Sequence, residues 1–159
     1  MKKTTMVALA FIFGQLVVNA WAAGAATEDG CVMKCHEAAA MIKSQGVDAA
    51  IKAIGDPKGP FVWKDSYVFL MNLDGKMLAH PFRPDLTHMD HVLLMTDPTN
   101  KAFFVHFVNL ARTAGHGWVE YMWPQPGKKA ISKKRTYIYR VPGKDLFVGA
   151  GISVGGVLY

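Results

Sequence analysis

Two β-rich runs meet at an Asp-Gly pair, and this junction constrains the fold more than any other feature of the chain. Tyr67-Val68-Phe69-Leu70-Met71-Asn72-Leu73 leads into Asp74-Gly75 and resumes as Lys76-Met77-Leu78-Ala79-His80. Glycine enters the positive-φ region that a tight hairpin turn needs, and β-branched and aromatic residues suit the flanking strands. The middle of the chain therefore reads as an antiparallel hairpin.

The remaining elements arrange themselves around it. Between Asp29 and Ser44, Cys31, Cys35, Ala38 and Ile42 recur at helical spacing, and Gly46 is suited to end that helix. Asp48 caps a second short helix through Ile54, and Asp56-Pro57-Lys58-Gly59-Pro60 is a loop. After His80, Pro81, Pro84 and Pro98 forbid long helices, leaving a turn or two over Met89–Met95. Lys101–Thr113 returns to helical periodicity, with Phe103, Phe104, Phe107, Val108 and Ala111 on one stripe. Three strands follow: Trp118–Trp123, Arg135–Val141 and Leu146–Ile152, joined by Pro- and Gly-containing loops. The order predicts an α+β fold, a long N-terminal helix packed on a five-stranded antiparallel sheet.

The first residues stand apart from this domain. Lys2-Lys3 precedes an apolar run from Met6 to Val18, and Ala20-Trp21-Ala22 has the small-x-small pattern of a cleavage site. Residues 1–22 thus read as a secretory signal peptide, with an uncleaved N-terminal anchor as the alternative. The chain of 159 residues is 51% hydrophobic and 19% charged, enough apolar material for one domain with a core and too little charge for disorder. Two cysteines exclude a disulfide-dense scaffold and an all-cysteine zinc site.

The formal charge of +6 is concentrated in Lys128, Lys129, Lys133, Lys134 and Arg135. An exported protein seldom meets nucleic acid, so this run reads as a solvated hairpin from which one or two cations turn inward toward an anionic ligand. No Gly-x-Ser-x-Gly elbow, phosphate-binding loop or His-Glu-x-x-His pattern is present. Asp56, Asp65, Asp74, Asp85, Asp97 and Asp145 are scattered through turns, and Glu120 has no acidic mate, which leaves nucleophile–base chemistry without a candidate.

Four groups of residues carry other chemistry. Cys31-Val32-Met33-Lys34-Cys35-His36 is one residue longer than the haem-attachment pattern, with His36 in the proximal position. It is compatible with covalent haem c, a disulfide, an intermolecular bridge, a soft-metal site or a buried thiol pair. His88-Met89-Asp90-His91 offers two imidazoles at i and i+3, with His80 as a third metal ligand. Along the strand from Trp118, Val119, Tyr121 and Trp123 share a face, giving an aromatic wall that serves either a core or a small ligand. His80 and Arg83 lie close together after the second strand, where an imidazole and a guanidinium suit a carboxylate. Phe61 and Trp63 precede the first strand, where Trp63 either closes a pocket or caps the core.

Several motifs, in order, resemble a single Cache domain, an extracellular sensory relative of the PAS fold. They are Tyr67-Val68-Phe69 with Leu73-Asp74-Gly75, Leu78-Ala79-His80-Pro81, Pro84-Asp85-Leu86, Gly115-His116-Gly117-Trp118-Val119, Tyr121-Met122-Trp123-Pro124, Tyr137, and Val148-Gly149-Ala150-Gly151-Ile152. The resemblance implies one domain over residues 28–152 with a tail at 153–159, and a PAS-like sheet. It implies a periplasmic ligand-binding sensory module without enzymatic activity or a required cofactor. Trp63, Tyr67, His80, Arg83, Tyr121, Trp123, Lys134 and Tyr137 are the expected ligand-binding residues, and a small organic acid or amino acid is the expected ligand. A signal would pass to a separate membrane receptor or transporter, and the N-terminal helix suits a homodimer. The alternative is a haem or thiol redox protein built on Cys31, Cys35 and His36.

Overall fold

The computed structural model describes residues 24–126 and 128–158, so the signal peptide expected over 1–22 lies outside the described residues. Helix α1 spans Glu28–Gln45. Thr27 caps it by accepting the Gly30 amide at 3.2 Å, and Glu28 and Asp29 add negative charge to its first turn. The chain leaves it through Gly46, at φ +90°, and enters α2, Val47–Gly55. Among the described residues no helix is long and apolar enough to cross a membrane.

The strands are β1 (Val62–Trp63), β2 (Ser66–Asn72), β3 (Met77–Ala79), β4 (His116–Pro124), β5 (Ile131–Arg140) and β6 (Leu146–Leu158). All pairings are antiparallel, in the order β1-β2-β6-β5-β4 with β3 also on β2. The expected Asp-Gly hairpin joins β2 to β3. Gly75 is required there twice over: its φ is +88°, and an added Cβ would lie 2.5 Å from the Leu93 side chain.

The sheet has six strands where the sequence predicts five. The extra one, β1, is two residues long and folds back on β2 by pairing Val62 with Tyr67 and Trp63 with Ser66. Two residues are too few to show alternation. At the other end β6 continues past Ile152 to Leu158, through the segment read as a tail, because β5 starts at Ile131 and offers it a partner. A bulge between Ser132 and Lys134 absorbs the register shift.

Both faces of this sheet are covered. On one, α1 and α2 lay Cys31, Cys35, Ala38, Ile42, Ala50 and Ile54 against Val68, Leu70, Val148 and Ala150. On the other, the irregular segment and α3 (Phe103–Thr113) pack Leu86, Val92, Phe103, Phe104 and Phe107 against Tyr67, Phe69, Tyr121 and Trp123. Double coverage explains why β2 reads as an unbroken apolar run. The irregular segment makes two short 3-10 turns, Pro84–His88 and Val92–Leu94, as its prolines require.

Candidate functional site

The face under α3 holds the ionisable groups that the sheet buries. Strand alternation places Tyr67 of β2, Tyr121 and Trp123 of β4, and Lys134 and Thr136 of β5 on that side. His80 follows β3 directly and turns in beside them. Its ring centroid lies 4.7 Å from Tyr67 and 6.5 Å from Trp123. Phe82 adds an edge-on contact to Tyr67 at 5.3 Å.

Proline punctuation fixes His80. The chain bends at Pro81, bringing the Phe82 and Arg83 amides to donate to His80 Nδ1 at 3.2 and 3.0 Å. Nδ1 is thus the acceptor, and the proton resides on Nε2. His80 is 3% exposed, and burial, reinforced by the positive charges of Lys134 and Arg83, pushes its pKa down to about 3. It is a neutral imidazole with an Nε2–H that has no protein partner among the described residues.

Lys134 is only 5% exposed. Its Nζ sits 4.0 Å from the centroid of the Tyr67 ring, and among the described residues no carboxylate pairs with it. Its neighbours on β5 behave differently: Lys133 pairs with Glu120 at 2.7 Å and Arg135 with Glu28 at 2.6 Å. The basic run follows the turn of the β4–β5 hairpin with Lys128, Lys129 and Lys133 exposed, and alternation along β5 turns one cation, Lys134, inward.

These groups border a cavity of about 120 Å³ at the end of the sheet. Tyr67, His80, Phe82, Arg83 and Trp123 form one side, and the Pro124-Gln125-Pro126 loop with Lys128 forms the other. Trp123 Nε1 donates to the Tyr67 hydroxyl at 3.0 Å, which leaves the hydroxyl hydrogen of Tyr67 free to point elsewhere. Arg83 lies 5.7 Å over the Trp123 ring and is held by Asp85. Lys134 is not in the wall itself. Its charge acts from behind Tyr67 and reaches His80.

Of the eight expected ligand residues, Tyr67, His80, Arg83 and Trp123 line this one cavity, with Lys134 against it. Tyr121 sits deeper, lining an inner void of about 10 Å³ that has room for one water at most. Its hydroxyl is already engaged with Thr136 at 3.1 Å.

Trp63 and Tyr137 do not join them. Tyr137 alternates with Thr136 and Ile138, so it emerges on the α1 side, 5.2 Å from Trp118. Trp63 packs in the same cluster, beside the first turn of α1. Phe82 and the Pro-Gln-Pro loop are wall residues that the sequence reading missed. Their signal was positional: Phe82 lies between His80 and Arg83, and the loop begins directly after Trp123.

The cysteines occupy the other face in a continuous helix. Cys31 and Cys35 are free thiols with no exposed surface. Cys31 Sγ lies 3.9 Å from Ser66 Oγ, and Cys35 Sγ lies 3.9 Å from the Tyr137 carbonyl. Burial pushes the Cys31 thiol up to about 11 and the Cys35 thiol well above its ordinary value, so neither supplies a thiolate. His36 turns away onto Tyr139, 4.2 Å between ring centroids. Both thiols face the sheet while His36 packs on Tyr139, so the three residues do not converge. Among the described residues no three His, Cys, Asp or Glu side chains gather to hold a metal, so His80, His88 and His91 do not form a ligand set.

An α+β fold with an antiparallel sheet, a long N-terminal helix and a ligand-sized cavity at one end of the opposite face defines the architecture of a sensory domain. The Cache domain model matches residues 50–157, and the chain belongs to that family, whose members are non-enzymatic ligand-binding modules of signalling proteins. The chain is 34% identical over 93 residues to the methyl-accepting chemotaxis protein McpP of Pseudomonas putida, covering 58% of this chain and 17% of that protein. It is 29% identical over 94 residues to the sensor histidine kinase MctS of Rhizobium johnstonii, covering 59% and 20%. The chain thus aligns with about a fifth of the length of these relatives.

Among solved structures, a Cache chemosensory domain described for carboxylic acid recognition matches with a TM-score of 0.62 and 25% identity. The match covers 77% of this chain and 84% of that one. A methyl-accepting chemotaxis protein from Vibrio parahaemolyticus shares the fold, with a TM-score of 0.65 at 18% identity over 79% and 87% of the two chains.

Proposed function

We propose that this chain is a periplasmic sensor domain that binds a small monocarboxylate in the cavity beside His80. On this reading it is delivered by cleavage of its signal peptide, and it relays occupancy to a separate membrane receptor or transporter. One observation carries the ligand class: the cavity is bordered by donors and cations and by no carboxylate. His80 Nε2–H, the Tyr67 hydroxyl and Arg83 face the role of anion donors, and Lys134 supplies a second full charge.

Size narrows the class. About 120 Å³ is well below the roughly 300 Å³ of pockets for drug-sized ligands, so the occupant has a few non-hydrogen atoms. The aromatic walls suit a short alkyl chain. An amino acid would bring an ammonium group that needs an acceptor, and no carboxylate lines the cavity, Asp85 beside it being already bound to Arg83. The recognition of carboxylic acids by a related Cache domain supports the same reading.

Titration calorimetry tests it directly. The purified protein is titrated with acetate, propionate and butyrate, and in parallel with glycine, alanine and propylamine. Binding of one or more acids, with no heat from the amine and weaker heat from the amino acids, is expected. Equal binding of acid and amine, or no binding by any acid at 10 mM, overturns the ligand class.

A further inference from the structure

Just outside the cavity wall, a carboxylate already engages the guanidinium of Arg83. Arg83 Nε donates to Asp85 Oδ1 at 2.9 Å and Oδ2 at 3.2 Å, and Nη2 donates to Oδ2 at 2.7 Å, a side-on fork. This is the geometry in which a guanidinium binds a free carboxylate. Asp85 is itself outside the cavity wall, in the 3-10 turn that follows Arg83. Thr87 Oγ1 closes that turn by donating to the Pro84 carbonyl at 2.7 Å, so Asp85 is held within reach.

We infer that Asp85 is a resident competitor for Arg83: it occupies the guanidinium fork that an incoming carboxylate would use, and so sets the affinity of the site. The inference rests on the carboxylate reading of the cavity. It divides the cations of the site by availability. Lys128 in the wall and Lys134 behind Tyr67 have no acidic partner among the described residues, so neither has to be released first. Arg83 becomes available only when the ligand's carboxylate displaces that of Asp85. The exchange swaps one charge-assisted fork for another, and the Arg83–Asp85 pair is solvent-accessible, with 38% and 54% of the two side chains exposed. Pairs of this kind are worth little individually, which makes the competition adjustable instead of prohibitive.

The contact also places a negative charge beside a site for anions. Asp85 therefore favours ligands with enough donors engaged elsewhere in the cavity to outcompete it. Selectivity for a well-fitting acid over inorganic anions follows, because an ion that meets Arg83 alone gains nothing over Asp85.

The test is a double-mutant cycle on Asp85→Asn and Arg83→Gln, read by calorimetric Kd for acetate, propionate and butyrate, with thermal melts to verify folding. Asp85→Asn is expected to bind about fivefold tighter than the wild-type protein, the scale of one exposed ion pair. In the Arg83→Gln background the same substitution is expected to change nothing, because its effect passes through the guanidinium. Equal or weaker binding by Asp85→Asn, while the wild type binds, overturns the competitor role alone. A gain that persists in the Arg83→Gln background overturns it too, since the effect would then be bulk electrostatics. Absence of binding in both the wild type and Asp85→Asn fails the carboxylate reading and the inference together.

Discussion

The two faces of the sheet are built from different materials. Under α1 and α2 the helices present mostly small side chains, Cys31, Cys35, Ala38, Ala39 and Ala50 with Ile42 and Ile54, to Val68, Leu70, Val148 and Ala150. Under α3 it is made by Phe103, Phe104, Phe107, Tyr121 and Trp123, rings that meet at angles and leave a void and a cavity at one end. The first face buries thiols, which behave as small hydrophobes. The second buries a lysine and an imidazole. Burying an ionisable group without a partner costs stability, so a face that served packing alone would not carry Lys134. The difference separates a face built for packing from one that carries buried ionisable groups at a cost in stability.

The comparison breaks most visibly at His80. The unfolded chain takes up a proton on this residue below its ordinary pKa of 6.5, and the native protein does so only near 3. The unfolded state therefore binds more protons throughout that window. Stability falls as pH drops from about 6.5 toward 3, by on the order of 4 kcal/mol in all. Urea unfolding of the wild type and His80→Asn between pH 7 and 5 checks this: the slope should be clearly shallower in the variant. The Asp85 and Asp97 carboxyls, both held below their usual range by hydrogen bonds, add their own loss in the same direction at lower pH.

The opposite face is sharpened by Leu70→Ala, which removes a fully buried side chain facing α1 and α2. A loss of about 3 kcal/mol in unfolding free energy is expected, with the Kd of any ligand unchanged wherever the variant is folded. A large change in Kd would mean that the two faces are not independent. Smaller again is Cys35→Ala, which trims one sulfur and is expected to cost about 1 kcal/mol. It leaves ligand affinity as in the wild type under both reducing and oxidising conditions. A thiol-reactive dye should label Cys31 and Cys35 only on unfolding, and rapid labelling of the native protein would contradict their burial.

Most elements of this architecture can be read from local signals. Asp74-Gly75 marks the hairpin, Cys31 through Ile42 the long helix, and the Phe103–Ala111 stripe the helix on the other face. The site is only partly readable, for a reason specific to sheets. Alternation within β5 shows that Lys134 and Tyr137 point opposite ways, and alternation within β4 shows that Tyr121 and Trp123 point together. It does not show which half of β5 joins the β4 pair. That phase is set by the pairing of Tyr121 with Lys134, which depends on the length and bend of the Pro-Gln-Pro loop. With this register Lys134 falls on the α3 face behind Tyr67, and Tyr137 goes to α1. Trp63 follows Tyr137 because β1 is too short to show a face. Asp85 belongs to the Pro84-Asp85-Leu86 motif, but its pairing with Arg83 has no sequence signal beyond their nearness.

The central claim is that a small carboxylate binds on the α3 face under the charge of Lys134. Replacing Lys134 with Met keeps an unbranched apolar stem and removes the charge. Calorimetry of wild type and Lys134→Met with the tightest-binding short acid measures the claim most directly. The account predicts at least a tenfold rise in Kd, with a melting temperature equal to or above that of the wild type. An unchanged Kd in a folded Lys134→Met protein would contradict it and place the ligand elsewhere.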